Sequence, residues 1–159
     1  MTVGENISLP VRYHRNCAIQ EAQDYLSPLI ESMELSSWLA ITPGRLGLKW
    51  SQRTGLARAL AVKPDALLLD NPVAGLDPKE TSWWVDTLGE LASGQHPWME
   101  GKPVTLVMAC DDIRPWKMQG KQFAALTNKR WQVLGSRDQL ADCTDKALKE
   151  LLEPEFANR

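Results

Sequence analysis

Side chains that bind metals or carry redox chemistry are scarce in this chain. His14 and His96 are its only histidines, and Cys17, Cys110 and Cys143 are odd in number, far apart and free of any C-x-x-C pair. A disulfide framework, a zinc knuckle and a His-rich metal site are therefore excluded. An excess of one charge is lacking too: 18 Lys+Arg stand against 20 Asp+Glu, a formal net charge of -2. Without a basic surplus to neutralise a phosphate backbone, no nucleic-acid partner is expected. No apolar stretch approaches the roughly 18–20 residues of a spanning helix, and the start, MTVGENISLP, has neither a basic region nor an apolar signal segment. The chain is expected in the cytosol. Phosphate loops are missing as well. The two Gly-Lys pairs, Gly101-Lys102 and Gly120-Lys121, have His96 and Pro115 five residues earlier where a glycine is required, and no G-x-G occurs.

What is there is ordinary globular material, 43% hydrophobic and 24% charged over 159 residues, enough for one domain with a core. Seven tryptophans against two Phe and two Tyr are read as core and interface residues. The first dozen residues, ending in SLPVRYH, read as an irregular lead-in. Apolar positions at Ile19, Ala22, Tyr25, Leu26, Leu29, Ile30 and Met33 mark one face of a helix, which Pro28 is expected to kink or divide. A short helical piece around Ser37–Ala40 ends at the turn Thr42-Pro43-Gly44, and a further helix over Leu48–Ala61 closes at Lys63-Pro64.

The period then changes. Ala66–Leu69 is a continuous apolar run between Pro64-Asp65 and Asp70-Asn71-Pro72, the pattern of a strand buried on both faces, and Val104–Met108 reads the same way. Between them Asp77-Pro78-Lys79-Glu80 starts a helix: Asp77 supplies the cap oxygen, Pro78 suits the first helical position, and Glu80 is expected to reach back as a capping box. That helix stops at Ser93-Gly94. Segments 122–127 and 130–134 form a hairpin turning at Asn128-Lys129, and Ser136–Leu152 ends the chain as an amphipathic helix. The fold class is α/β. A helix-covered parallel sheet of two strands alone is incomplete, so a preceding half is expected.

One motif carries chemistry. LLLD, Leu67–Asp70, ends a buried strand in a carboxylate, and at the carboxyl end of a parallel strand such an acid faces the crevice where nucleotides bind and can hold Mg²⁺ through water. The run LARALAVKPDALLLDNPVAGLDPKE, Leu56–Glu80, closely resembles the ATPase subunits of ABC transporters, whose ARAL-type helix leads through a Pro-Asp turn into the Walker B strand and a D-loop. FAALTNKRWQVLGSRDQL, Phe123–Leu140, is similar to the family's late hairpin and following helix. The lead-in ENISLPVRYH is similar to the segment after the Q-loop in subunits of lipid and phospholipid trafficking.

The resemblance implies a partial P-loop NTPase fold: a lead-in and helical subdomain over 1–63 and the second half of the ATPase core over 64–159, with Walker A and the Q-loop before Met1. It also implies site residues. Asp70 takes the Mg²⁺ position, Asn71 stands where the family has its general-base Glu, and Asp77 belongs to the D-loop. Cys110 falls on the switch histidine. Gly47, Leu48 and Lys49 fall in a degenerate signature, where Lys49 is read as a solvated helix-end lysine. An amide can orient a water but has no basic carboxylate to take its proton. The expected function is the nucleotide-binding component of an ABC-type transporter, weak or inactive in hydrolysis. ATP and Mg²⁺ would act only if Walker A is supplied from elsewhere. The implied partners are a transmembrane permease subunit and a second ATPase subunit or the missing amino-terminal half. Two alternatives stay open: a non-catalytic interaction module that keeps the fold, and a split cassette completed by another chain.

Overall fold

A computed structural model describes residues 1–127 and 129–141. The chain gathers into two compact units, Met1–Ala109 and a second that begins at Cys110.

The first unit opens with a helix, not with an irregular lead-in. Helix α1 spans Val3–Arg15 and starts in a full capping box: the Glu5 amide donates to Thr2 Oγ1 at 3.2 Å, and the Thr2 amide donates to Glu5 Oε2 at 2.6 Å. Pro10 lies inside it. Val3, Ile7 and Val11, spaced by four, form its buried stripe. Burying three such aliphatic side chains, each about 1.5–3 kcal/mol, outweighs the roughly 3 kcal/mol of one interior proline. The first turn is also held by the 39–41 segment, because the amides of Val3 and Gly4 donate to Ile41 O (2.8 Å) and Leu39 O (3.0 Å). A Cβ at Gly4 would sit 2.7 Å from the tip of the Gln23 side chain, which would have to move aside.

Helix α2, Ile19–Ser32, runs through Pro28 as a single element and buries Ala22, Leu26, Leu29 and Ile30 against α1. Short 3-10 turns at Ser36–Trp38 and Pro43–Arg45 lead into α3, Leu48–Leu60. Strand β1, Ala66–Asp70, is followed by α4, Pro78–Ser93, and then by strand β2, Thr105–Ala109. Helix α4 closes at Gly94, where φ is +77° and an added Cβ would lie 2.7 Å from Gly101 O.

The two strands pair in parallel, with Leu68 opposite Val107 and Asp70 opposite Ala109. They are not buried on both faces as the apolar runs suggest. Leu67 is buried, whereas Leu68 is 82% exposed and Val107 55% exposed. Helix α4 covers one side of the sheet; among the described residues of this unit nothing covers the Leu68–Val107 side. A continuous apolar run records only that both faces want cover.

In the second unit a 3-10 turn at Arg114–Trp116 precedes an antiparallel hairpin, β3 (Phe123–Thr127) and β4 (Arg130–Gly135), and a short helix α5, Arg137–Ala141. Thr127 pairs with Arg130 across the expected turn, and Lys129 has a φ of +61°. Asn128 and the remainder of the expected final helix, 142–152, lie outside the described residues. Trp84, Trp98 and Trp116 are core residues, while Trp131 is exposed.

The open sheet face makes a testable demand. Leu68→Glu should lower hydrophobic-dye binding and self-association while changing stability by no more than about 0.5 kcal/mol, the usual range for a surface position. Sedimentation and dye titration check it; unchanged association in the variant would mean that this face is not the sticky one.

Candidate functional site

Asp70 is the last residue of β1 and is exposed, and its carboxylate makes no hydrogen bond or ion pair among the described residues. Asn71 follows with φ at +44°, its amide donating to Ala109 O across the sheet at 2.9 Å. Asparagine tolerates this left-handed backbone better than most residues. The chain then winds through a tight turn, with Ala74 N donating to Asn71 O and Leu76 N to Val73 O. Asp77 caps α4 as the local sequence dictates, accepting the Glu80 amide at 2.9 Å.

Gly47 is the N-cap of α3, Leu48 its first residue and Lys49 its second. No side chain caps this helix start, and nothing would meet a Cβ placed at Gly47. Leu48 is half exposed, and its Cδ2 lies 3.0 Å from where a Gly75 Cβ would stand. Gly75 has a φ of +75°. The turn before Asp77 therefore lies against Leu48, and its backbone angle favours glycine there.

Lys49 is not a solvated lysine. Its Nζ lies 2.5 Å from Glu80 Oε1, and Arg53, one helical turn further along α3, holds Glu80 Oε2 at 2.8 Å. Arg53 is 1% exposed. It also meets Glu34 at 2.8 Å, donates to Met33 O at 3.4 Å and stacks over the Trp83 ring at 3.7 Å. Glu80 consequently does not close a capping box; its carboxylate turns inward to two cations. Burial by itself would push the Glu80 carboxyl up, but hydrogen bonds from Lys49 and Arg53 and their positive charges hold it below its ordinary value near 4.5.

Cys110 is the first residue of the second unit and is half-buried. Burial, with Asp112 and Asp111 adding negative charge, pushes its thiol up. It stays a neutral thiol and a weak hydrogen-bond donor. Among the described residues no group of three or more His, Cys, Asp or Glu side chains is placed to hold a metal.

No family model matches the chain. It is 30% identical over 146 residues to the sulfate/thiosulfate import ATP-binding protein CysA of Anthoceros angustus, which covers 89% of the chain and 35% of that protein. It is 40% identical over 78 residues to a probable amino-acid ABC transporter ATP-binding protein of Haemophilus influenzae, covering 49% of the chain and 30% of that protein. The chain is a relative of the ATP-binding subunits of ABC transporters. Two solved structures carry the same fold. MJ1267, an ATP-binding cassette of an ABC transporter, superimposes with a TM-score of 0.72 at 17% identity over 95% of the chain and 62% of its own. The cbiO1 protein of Clostridium perfringens, part of the ABC transporter complex cbiONQ, gives 0.69 at 18% identity, over 94% of the chain and 56% of its own. This ABC ATPase relative spans about a third of the length of the curated relatives it matches. One of these relatives is named for sulfate/thiosulfate import and the other for an amino-acid ABC transporter, so they lend no support to the lipid-trafficking likeness of the lead-in.

Within this ABC ATPase relative, the structure brings Leu48 against the turn at Gly75, and places Asp70 and Asn71 at the sheet's carboxyl end. The charge cluster joining α3 to α4 is absent from the sequence reading. A signal existed: Lys49 and Arg53 are four apart, hence on one helix face. Their partner Glu80 was hidden because its spacing from Asp77 also satisfies a capping box.

Glu80→Gln keeps the shape and removes the charge. It should cost about 3 kcal/mol at pH 7, since one partner of a buried ion pair is lost. The folded-state carboxyl is lowered, so its stabilisation is full above the unfolded value near 4.5 and disappears as pH falls through the folded value. Urea midpoints from pH 7 to pH 3 should show the gap between native and variant closing below about 4.5; a gap unchanged at pH 3 would contradict a charged Glu80.

Proposed function

We propose that this chain is the nucleotide-binding component of an ABC-type membrane transporter, working at the cytoplasmic face with a transmembrane permease subunit and a second ATPase subunit. The observation that carries the reading is Asp70, an exposed and unpaired carboxylate at the carboxyl end of a parallel strand, leading through a tight turn into a capped helix. The layout follows the family: lead-in and helical subdomain over 1–63, second half of the ATPase core over 64–159.

Asp70 has the chemistry to hold Mg²⁺ through water, and Mg²⁺ there would offset phosphate charge. The residues around it support weak hydrolysis. The Asn71 amide orients a water but takes no proton from it. The Lys49 ammonium is committed to Glu80, so at the signature only the uncapped amides at the start of α3 remain to meet a phosphate. The Cys110 thiol is a poorer donor than an imidazole. No phosphate loop is present in the sequence, so ATP and Mg²⁺ act only where one is supplied. The commitment of Lys49 also favours a second reading, an interaction module that keeps the fold and binds no nucleotide.

The chain alone should therefore show no meaningful turnover with Mg-ATP. A rate on the order of 1 per second that vanishes in Asp70→Ala would refute this. In a cassette completed by a phosphate-loop half, Asn71→Glu should leave nucleotide affinity unchanged and raise turnover by about 10²- to 10⁴-fold, the range of a general base. The left-handed backbone at 71 should make the same variant less stable by roughly 1 kcal/mol. Absence of bound nucleotide in both forms would favour the interaction module.

A further inference from the structure

A recess of about 320 Å³ opens in the first unit between the end of α1, the middle of α2 and the loop after α3. That volume lies at the lower end of the roughly 300–1,000 Å³ of small-ligand sites. Its walls are Val11, Val62 and Tyr25, and its polar groups are His14, Arg15 and Lys63. No acid lines it.

Both principal cations are held in place by aromatic faces. The Arg15 guanidinium lies 3.9 Å from the Tyr25 ring centre, and Lys63 Nζ lies 4.7 Å from that of Trp98. Tyr25 and Trp98 in turn meet edge to face at 5.2 Å. Trp98 is anchored by its indole N–H, which donates to Leu60 O at 2.8 Å. A cation fixed this way has lost part of its rotamer freedom before any ligand arrives.

The backbone beside the recess is strained as well. Asn16, Lys63 and Glu100 all have positive φ, at +48°, +49° and +53°. Lys63 is further crowded by the following Pro64. Glu100 reaches Lys63 Nζ at 2.6 Å from an exposed position. Its carboxylate stands on the lysine as an oxyanion would, from outside the lining residues.

We propose that this recess binds a small organic oxyanion, a carboxylate or phosphate monoester, whose charged end is gripped by Arg15 and Lys63 and whose apolar body lies on Val11, Val62 and Tyr25. Arg15 supplies the planar fork suited to either acid. The ligand displaces Glu100 from Lys63. This site is independent of the nucleotide chemistry at Asp70.

Calorimetric titration of the full chain at low salt with two probes, benzoate and phenyl phosphate, tests the proposal. At least one should bind with a Kd of about 1 mM or tighter; whichever binds better identifies the acid. Arg15→Gln and Lys63→Gln should each weaken binding by about tenfold or more, as loss of a charge-assisted hydrogen bond does. Glu100→Gln should tighten it several-fold by releasing Lys63, and Arg58→Gln, an exposed cation of α3 outside the lining, should leave it unchanged. Circular dichroism of each variant checks the fold, and the Glu100 variant alters only an exposed side chain. No binding of either probe at about 10 mM, binding indifferent to both Arg15→Gln and Lys63→Gln, or binding weakened by Glu100→Gln would overturn the proposal.

Discussion

The buried pair between Arg53 and Glu80 is the constraint on which the first unit depends. Neither charge can be buried alone, because an isolated ion loses several kcal/mol of hydration on leaving water. The two must therefore meet, and they stand on different helices. Once Arg53 of α3 finds Glu80 in the first turn of α4, the start of one helix is registered against the start of the other. Lys49, Glu34, Met33 O and the Trp83 face complete the satisfaction of the pair. The same register lays Gly75 over Leu48 and leaves Asp77 free to cap α4.

That arrangement surrounds the end of β1. Lys49 is drawn inward as a structural counter-ion, and Leu48 lies against the turn at Gly75. Gly75 takes the left-handed backbone of that turn, and Asp77 caps the helix that follows. Asn71, between the strand and the turn, places its amide on a left-handed backbone of its own. Backbone geometry and chemical reactivity are set by different atoms of neighbouring residues.

The parallel pair of strands marks the opposite situation, a structural requirement unmet within the described residues. Leu68 and Val107 stand side by side on a face without cover, while Leu67 on the other face is buried. Relatives whose cassettes extend well beyond the matched region supply the comparison: the chain accounts for 62% of one solved cassette and 56% of another. An α/β sheet is stable with helices on both sides, and among the described residues of this unit one side alone is covered.

Much of this was legible in the sequence because it is local. Asp77 and Pro78 start α4 through contacts three residues long, Gly94 stops it through a backbone angle, and the switch from helical spacing to LLLD marks β1. Asp70 at a strand end is likewise readable from neighbours alone. Helix α1 was readable from Thr2 and Glu5, but Pro10 argued the other way, and only the packing of Val3, Ile7 and Val11 decides between them. The direction of Glu80 could not be read at all. Local and distant partners compete for its carboxylate, the Asp77 cap of its own helix and two cations some thirty residues earlier, and only the folded distance selects the latter. Burial of Leu67 and exposure of Leu68 were equally undetermined, since adjacent leucines are the same in sequence and differ only in which face of the sheet a helix covers. What the sequence by itself determined was where α2 to α4, the two parallel strands and the hairpin lie along the chain, but not α1; which side chains meet across elements was decided by tertiary structure, because charge pairing and burial act through space.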